Sequence, residues 1–133
     1  QMTEVFSQET SYKMQTMLRA VVNEGTGIRL RFRYNIKADM GGKTGTTQNN
    51  SDGWFMGITP KLVSGVWGGG EDRDIHFDHM SDGQGANIAL PIYALYINKV
   101  YAEALPYLEH AHNLNPDDKA TIEDLGALRE RLK

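Results

Sequence analysis

The sequence contains no cysteine, which excludes disulfides, thiolate metal sites and cysteine nucleophiles while leaving the cellular compartment open. Long hydrophobic runs are also lacking. Apolar stretches such as Ile88 to Ile97 are too short to span a bilayer, and no basic region followed by an apolar one opens the chain at Gln1, so neither membrane span nor export signal is expected in it. An excess of one charge is missing too: 14 Lys and Arg face 17 Asp and Glu, a net of -3, which gives no field of the kind a general nucleic-acid binder uses. With 133 residues, 40% hydrophobic and 23% charged, the chain has the size and balance of one globular domain. Its partner class has to come from motifs.

What is present is unevenly spread. Of the 14 glycines, 13 precede residue 101. Residues 1–100 balance 10 basic against 10 acidic side chains, whereas 101–133 hold 4 against 7. Two architectures are expected, divided at 100/101.

From Ser7 to Asn23, Tyr12, Met14, Met17, Leu18, Val21 and Val22 recur at three- and four-residue spacings, the period of a helix with one buried face. Ser7, Glu9 and Thr10 supply start chemistry, and Gly25-Thr26-Gly27 should end the helix through a left-handed glycine. Arg29 to Tyr34 alternates arginine with Leu30, Phe32 and Tyr34. This pattern predicts an exposed strand or extended loop with a solvated face; a basic stripe for RNA is the weaker reading, because the region is neutral. Runs at Met40 to Thr47, Gly53 to Thr59 and Leu62 to Trp67 are separated by Gln48 to Asp52 and by Pro60-Lys61, the spacing of an antiparallel meander. Trp54, Met56 and Ile58 fall on one face and Phe55 and Gly57 on the other, so both faces are expected to be at least partly covered. Gly68 through Gly85 reads as a surface loop. Helical spacing resumes over Ile88, Ala89, Ile92, Leu95, Tyr96 and Val100, predicting a helix from near Ala86 with Pro91 in its first turn.

Gly41-Gly42-Lys43-Thr44-Gly45-Thr46-Thr47 is the segment richest in chemistry. A phosphate-binding P-loop would need a glycine where Lys37 stands and a following helix where Gln48 to Gly53 is turn-like. A strand carrying Lys-Thr-Gly-Thr instead presents an ammonium, two hydroxyls and a bare backbone edge to a peptide-like substrate. With Gly25-Thr26-Gly27 before it, and Asp52-Gly53-Trp54-Phe55-Met56-Gly57-Ile58-Thr59-Pro60 and Val63-Ser64-Gly65-Val66-Trp67-Gly68 after it, this ordered set resembles the C-terminal part of a class A type penicillin-binding transpeptidase domain over residues 1–100.

The resemblance implies a partial serine transpeptidase/β-lactamase-like fold, and roles for four residues. Lys43 would line the cleft beside the serine as a catalytic side chain, Thr44 and Thr46 would hold the substrate carboxylate, and Gly45 would keep the strand bare where the acyl group lies. The Thr46 N–H would be one oxyanion donor, and Trp54 and Phe55 would pack the next strand. It further implies peptidoglycan stem peptide and β-lactams as ligands, no cofactor, and a place on the outer side of the cytoplasmic membrane, in the periplasm.

Two elements of that chemistry are missing. Ser7, Ser11, Ser51, Ser64 and Ser81 are followed three residues later by Thr10, Met14, Trp54, Trp67 and Gln84, so no Ser-x-x-Lys is present, and no Ser-x-Asn either. Tyr96-Ile97-Asn98 imitates a variant of the latter but lies within the predicted helix. His76, His79, His110 and His112 suggest no Ser-His-Asp arrangement. The chain is therefore expected to carry one wall of a cleft whose serine lies in other residues. Asp72, Asp74, His76, Asp78 and His79 could chelate in principle, but the segment reads as a polar surface loop and no metal is expected.

Beyond residue 100, Tyr101, Ala104, Leu108, Ala111 and Leu114 form one helical stripe. Asn115-Pro116-Asp117-Asp118 breaks it, and Ala120, Ile122, Leu125, Gly126 and Leu128 begin another. This hairpin resembles the junction of two tetratricopeptide repeats, with Gly126 at a close helix approach and Arg129 where an aromatic is usual. A generic helical hairpin explains the pattern equally well. Such a unit cannot bury its faces alone, and should lean on the preceding helix and offer a surface to a protein partner. The expected whole is α+β: an antiparallel sheet packed with helices, then a C-terminal α-helical hairpin.

Overall fold

Ser7 opens the first helix by accepting the Thr10 N–H on its hydroxyl at 3.2 Å, which satisfies one of the free donors of a helix start. The structure is a computed structural model in which residues 5–132 are described. Helix α1 spans Gln8–Asn23 and stops where the glycines stand, though not in the expected conformation: none of the described glycines has a positive φ. Gly25 and Gly27 serve by being small. A Cβ on them would lie 3.0 Å from the Val21 Cα and 3.1 Å from the Val21 carbonyl oxygen, respectively.

Arg29–Phe32 is a one-turn helix, α2, and corrects the extended reading of this segment. Leu30 is fully buried while Phe32 is exposed, so residues two apart do not share a face. Arg31 explains the turn. Its guanidinium donates to the Ile36 and Ala38 carbonyls at 2.7 Å each and to Asn23 Oδ1, tying the helix to the strand entry. Burial pulls the Arg31 pKa down from its ordinary value, against the nearby Asp39 carboxylate.

Strands β1 (Gly41–Thr46), β2 (Asp52–Ile58) and β3 (Val63–Gly69) form an antiparallel sheet in that order, as the spacing predicted. Lys43 stands opposite Met56, Gly45 opposite Trp54, and Trp54 opposite Trp67. The inner face carries Phe55, whose ring lies 4.8 Å from that of Tyr93 at 58°. Around them pack Val22, Leu30, Met40, Leu90 and Ile97. The outer face is only partly covered: Leu18 of α1 lies against Gly41, while Trp54, Met56, Ile58, Val63 and Trp67 keep contact with solvent.

A short helix α3, Met80–Gly83, interrupts the expected loop, and Gly83, Gly85 and Ala86 are buried. Helix α4 runs unbroken from Ala89 to Leu114, beginning after Ala86 because Pro91 needs a first-turn position. It passes Tyr101 without a break and contains Pro106. Helix α5, Lys119–Arg131, returns after a turn capped by Asp118, with Leu125 and Leu128 buried. Gly126 is not a close-approach site, since a Cβ there would meet nothing within 4 Å.

Tyr93 marks where α4 and the sheet are tightest. A Cβ on Gly57 would lie 2.1 Å from its hydroxyl oxygen. Burial raises the Tyr93 pKa, with the Ser64 hydroxyl beside it opposing, although neither hydroxyl reaches a partner at hydrogen-bond geometry. Gly57→Ala should therefore cost about 2 kcal/mol of stability in urea unfolding. The same change at the exposed helical Gly126 should raise stability by about 0.5–1 kcal/mol; two effects of equal sign would contradict this packing.

Asp118 accepts the Thr121 N–H at 3.0 Å and the Thr121 hydroxyl, and these bonds hold its pKa below the ordinary aspartate value. A depressed folded pKa contributes stability that is full above the unfolded value and lost as pH falls through the folded one. Helical circular dichroism of α5 should fade in acid below that range, and Asp118→Asn should flatten this part of the pH profile.

Candidate functional site

The sheet places Lys43, Thr44, Gly45 and Thr46 on its edge strand. Orientation follows from one bond. The Thr47 N–H donates to the Asp52 carbonyl at 3.1 Å, and antiparallel pairing alternates inward and outward backbone groups every residue. Residues 41, 43 and 45 therefore bond toward β2, while the backbone N–H and C=O of Gly42, Thr44 and Thr46 point away from it; α1 lies against the buried Gly41–Gly42 end, and the edge is open only beyond it, at Thr44 and Thr46.

The side chains divide between two faces. Lys43 lies on the outer face, exposed, and its ammonium folds over the edge to donate to the Thr44 carbonyl at 2.7 Å. Thr44 and Thr46 point to the inner face. The Thr44 hydroxyl lies 2.9 Å from that of Thr26, and the Thr46 hydroxyl accepts the Gly85 N–H at 3.1 Å. Gly45 leaves the outer face bare between Lys43 and the end of the strand.

Sequence reading placed all four residues on one strand, and the structure does so as well. It did not foresee Thr26 and Gly85 as the groups touching the two threonine hydroxyls. Thr26 had a signal, since it stands within Gly25-Thr26-Gly27; Gly85 had none, lying in a segment read as loop. Trp54 was assigned to packing, yet it stays 45% exposed while Phe55 is fully buried.

Other candidate sites are separate from this edge. A cleft of about 480 Å³ at the Gly41 end of β1 is lined by Leu18, Met40, Ile58 and Pro60 and by the Arg19–Asp39 ion pair; none of Lys43, Thr44, Gly45 and Thr46 borders it. The Glu71–His79 loop is exposed throughout. Among the described residues no group of three or more His, Asp or Glu is placed to hold a metal ion, and no helix is long and apolar enough to cross a membrane.

An open edge with an ammonium on one face and a side-chain-free notch can pair an extended peptide by main-chain bonds and aim an N–H at a developing oxyanion. Comparison with known proteins bears on this. Residues 1–67 match the family described as penicillin binding protein transpeptidase domain. Penicillin-binding protein 1A of Aquifex aeolicus (strain VF5) is 41% identical over 108 residues, which are 77% of this chain and 14% of that protein. The protein of the same name from Pseudomonas aeruginosa is 35% identical over 93 residues, 70% of this chain and 11% of the relative. That of Rickettsia bellii is 30% identical over 129 residues, 93% and 16%. The chain thus spans about a sixth or less of the length of these relatives.

Thr46→Val should leave the buried Gly85 N–H without its acceptor and cost about 1 kcal/mol. Faster hydrogen exchange at Gly85 should accompany the loss, and Thr46→Ser should restore both; an unchanged exchange rate would show that the hydroxyl does not hold this segment.

Proposed function

The chain belongs to the penicillin-binding protein transpeptidase family, and on that premise we propose that it forms the substrate-carboxylate and oxyanion wall of a peptidoglycan D-Ala-D-Ala transpeptidase site. The open β1 edge bearing Lys43, Thr44, Gly45 and Thr46 carries this reading. In the complete reaction a serine attacks the penultimate D-Ala carbonyl and the terminal D-Ala leaves. An amine of a neighbouring strand then takes the acyl group, and β-lactams stop the cycle at the acyl-enzyme.

Within that scheme each residue's part follows from its position. Lys43, on the exposed face with its ammonium at the open edge, supplies positive charge beside the serine. The outward N–H of Thr46 donates to the tetrahedral oxyanion. Gly45 gives the acyl group room. Thr44 and Thr46 hold the carboxylate by donating their hydroxyl protons to it, which Thr46 can do while accepting the Gly85 N–H and Thr44 while accepting from Thr26. The nucleophile is supplied by residues outside this chain, because none of its five serines stands three residues before a lysine. Alone it forms no acyl-enzyme.

The proposal places the working site on the outer side of the cytoplasmic membrane. It treats residues 1–100 as the transpeptidase part and 101–133 as a tetratricopeptide-like hairpin open to a protein partner. A second reading, a helical-repeat interaction module on an inert transpeptidase-derived scaffold, draws on Tyr107 and Leu114, which are 79% and 74% exposed on α4.

Intact-mass spectrometry after incubation with a β-lactam separates the two. The chain alone should gain no adduct. Mixed with the serine-bearing upstream part of a transpeptidase domain, it should promote acylation of that part, and Lys43→Ala should abolish the promotion. No acylation in the mixture would favour the inert scaffold, and an adduct on this chain alone would show that a serine in it is reactive.

A further inference from the structure

Resting on the transpeptidase reading, we propose that Trp54 is a specificity-determining residue: its indole is the back wall of the Gly45 notch and takes the methyl groups of an acyl-D-Ala-D-Ala end. Three observations define the notch. Gly45 and Trp54 are directly paired across β1 and β2, and a Cβ on Gly45 would lie 3.2 Å from the Trp54 Cβ and 3.9 Å from its Cγ. The indole thus rises beside the one residue of the motif that has no side chain. Lys43 shares this face and brings its ammonium to the open edge at the Thr44 carbonyl.

The chemistry of these walls selects the ligand. A peptide lying along the open edge meets an ammonium, an indole face and outward backbone donors within one strand's length. The complementary end is an extended acyl-dipeptide with a free carboxylate and small apolar side chains: the carboxylate goes to the Thr44 and Thr46 hydroxyls, in the field of the Lys43 ammonium at the same edge, and the methyls to Trp54. Aromatic walls give apolar area at small conformational cost. Trp67, directly across β3 from Trp54, is not part of the notch, because its Nε1 donates to the Asp52 carboxylate at 3.1 Å and holds the ring toward the sheet end.

Backbone and indole N–H resonances of the ¹⁵N-labelled full chain test this during titration with an N-acylated peptide ending in D-Ala-D-Ala and one ending in Gly-Gly. The Thr46 amide and the Trp54 indole should shift together along one saturation curve, with the Gly-Gly peptide about tenfold weaker. Trp54→Ala should remove most of that discrimination, whereas Trp67→Ala should keep it; the dispersion of the remaining amides checks that each variant is folded. A shifting Thr46 amide with a silent Trp54 indole, or discrimination unchanged in Trp54→Ala, would overturn the role of Trp54 and leave the transpeptidase reading standing. If neither Thr46 nor Trp54 responds to either peptide, the edge does not bind this chemistry, and both fail.

Discussion

The structure depends on four glycines that flank Phe55 on the inner sheet face. Gly42 makes room for the Phe55 ring, while Gly53, Gly57 and Gly68 point toward α4 and the segment before it. A Cβ would lie 2.6 Å from the Phe55 ring at Gly42, 3.1 Å from the Gly85 Cα at Gly53, 2.1 Å from the Tyr93 hydroxyl at Gly57 and 2.6 Å from Ile88 at Gly68. Each glycine weakens its strand by roughly 0.5–1 kcal/mol. The compensation is burial of Phe55, Leu90, Tyr93 and Ile97, each about 1.5–3 kcal/mol, on a surface flat enough to admit a helix at close range. That same closeness carries the Gly85 backbone across the sheet to the Thr46 hydroxyl, and so fixes the end of the edge strand.

Alternation found the three strands because their registers are regular, and Ser7 and Asp118 found the helix starts because capping is local chemistry. Local patterns failed where the deciding contact is distant. Arg29 to Tyr34 alternates like a strand, but Arg31 is pulled inward by carbonyls of residues 36 and 38, and one turn of helix results. Gly25 and Gly27 did end α1, through room against Val21 instead of a left-handed backbone. The outer sheet face was expected to be at least partly covered, and α1 covers its Gly41 corner; an apolar pattern does not say how far a covering layer reaches, and Trp54 and Trp67 lie beyond it. That Lys43 to Thr46 share one strand was legible because their residue types and order are local; Thr26 and Gly85 were not legible as their neighbours, being brought to them only by the fold.

The C-terminal hairpin is held by less than the sheet is. Lys61–Asp124 and Arg129–Glu109 link α5 to the β2–β3 turn and to α4, but exposed ion pairs contribute only about 0–1 kcal/mol each. Leu125 and Leu128 supply the apolar anchor. Pro106 lies inside α4 without ending it: the missing N–H costs one helical bond, and its exposed position lets water reach the freed carbonyl. A hairpin so attached is suited to presenting Tyr107 and Leu114 outward, not to bracing the site.

An exposed sheet edge ordinarily invites unwanted pairing, and charge placed along it is a common defence. Lys43 fits that defence on its own. What defence does not explain is the company it keeps. Gly45 removes the side chain that would block an incoming strand, Thr46 turns its N–H outward, and Trp54 adds an apolar surface on the ammonium's side. A strand designed only to repel would fill position 45 and bury the indole. The combination is the one the proposed function calls for: room and donors for a short, anionic, lightly substituted strand. The exposed Met56 and Val63 on the same face extend the apolar surface of Trp54 away from the edge, toward β3.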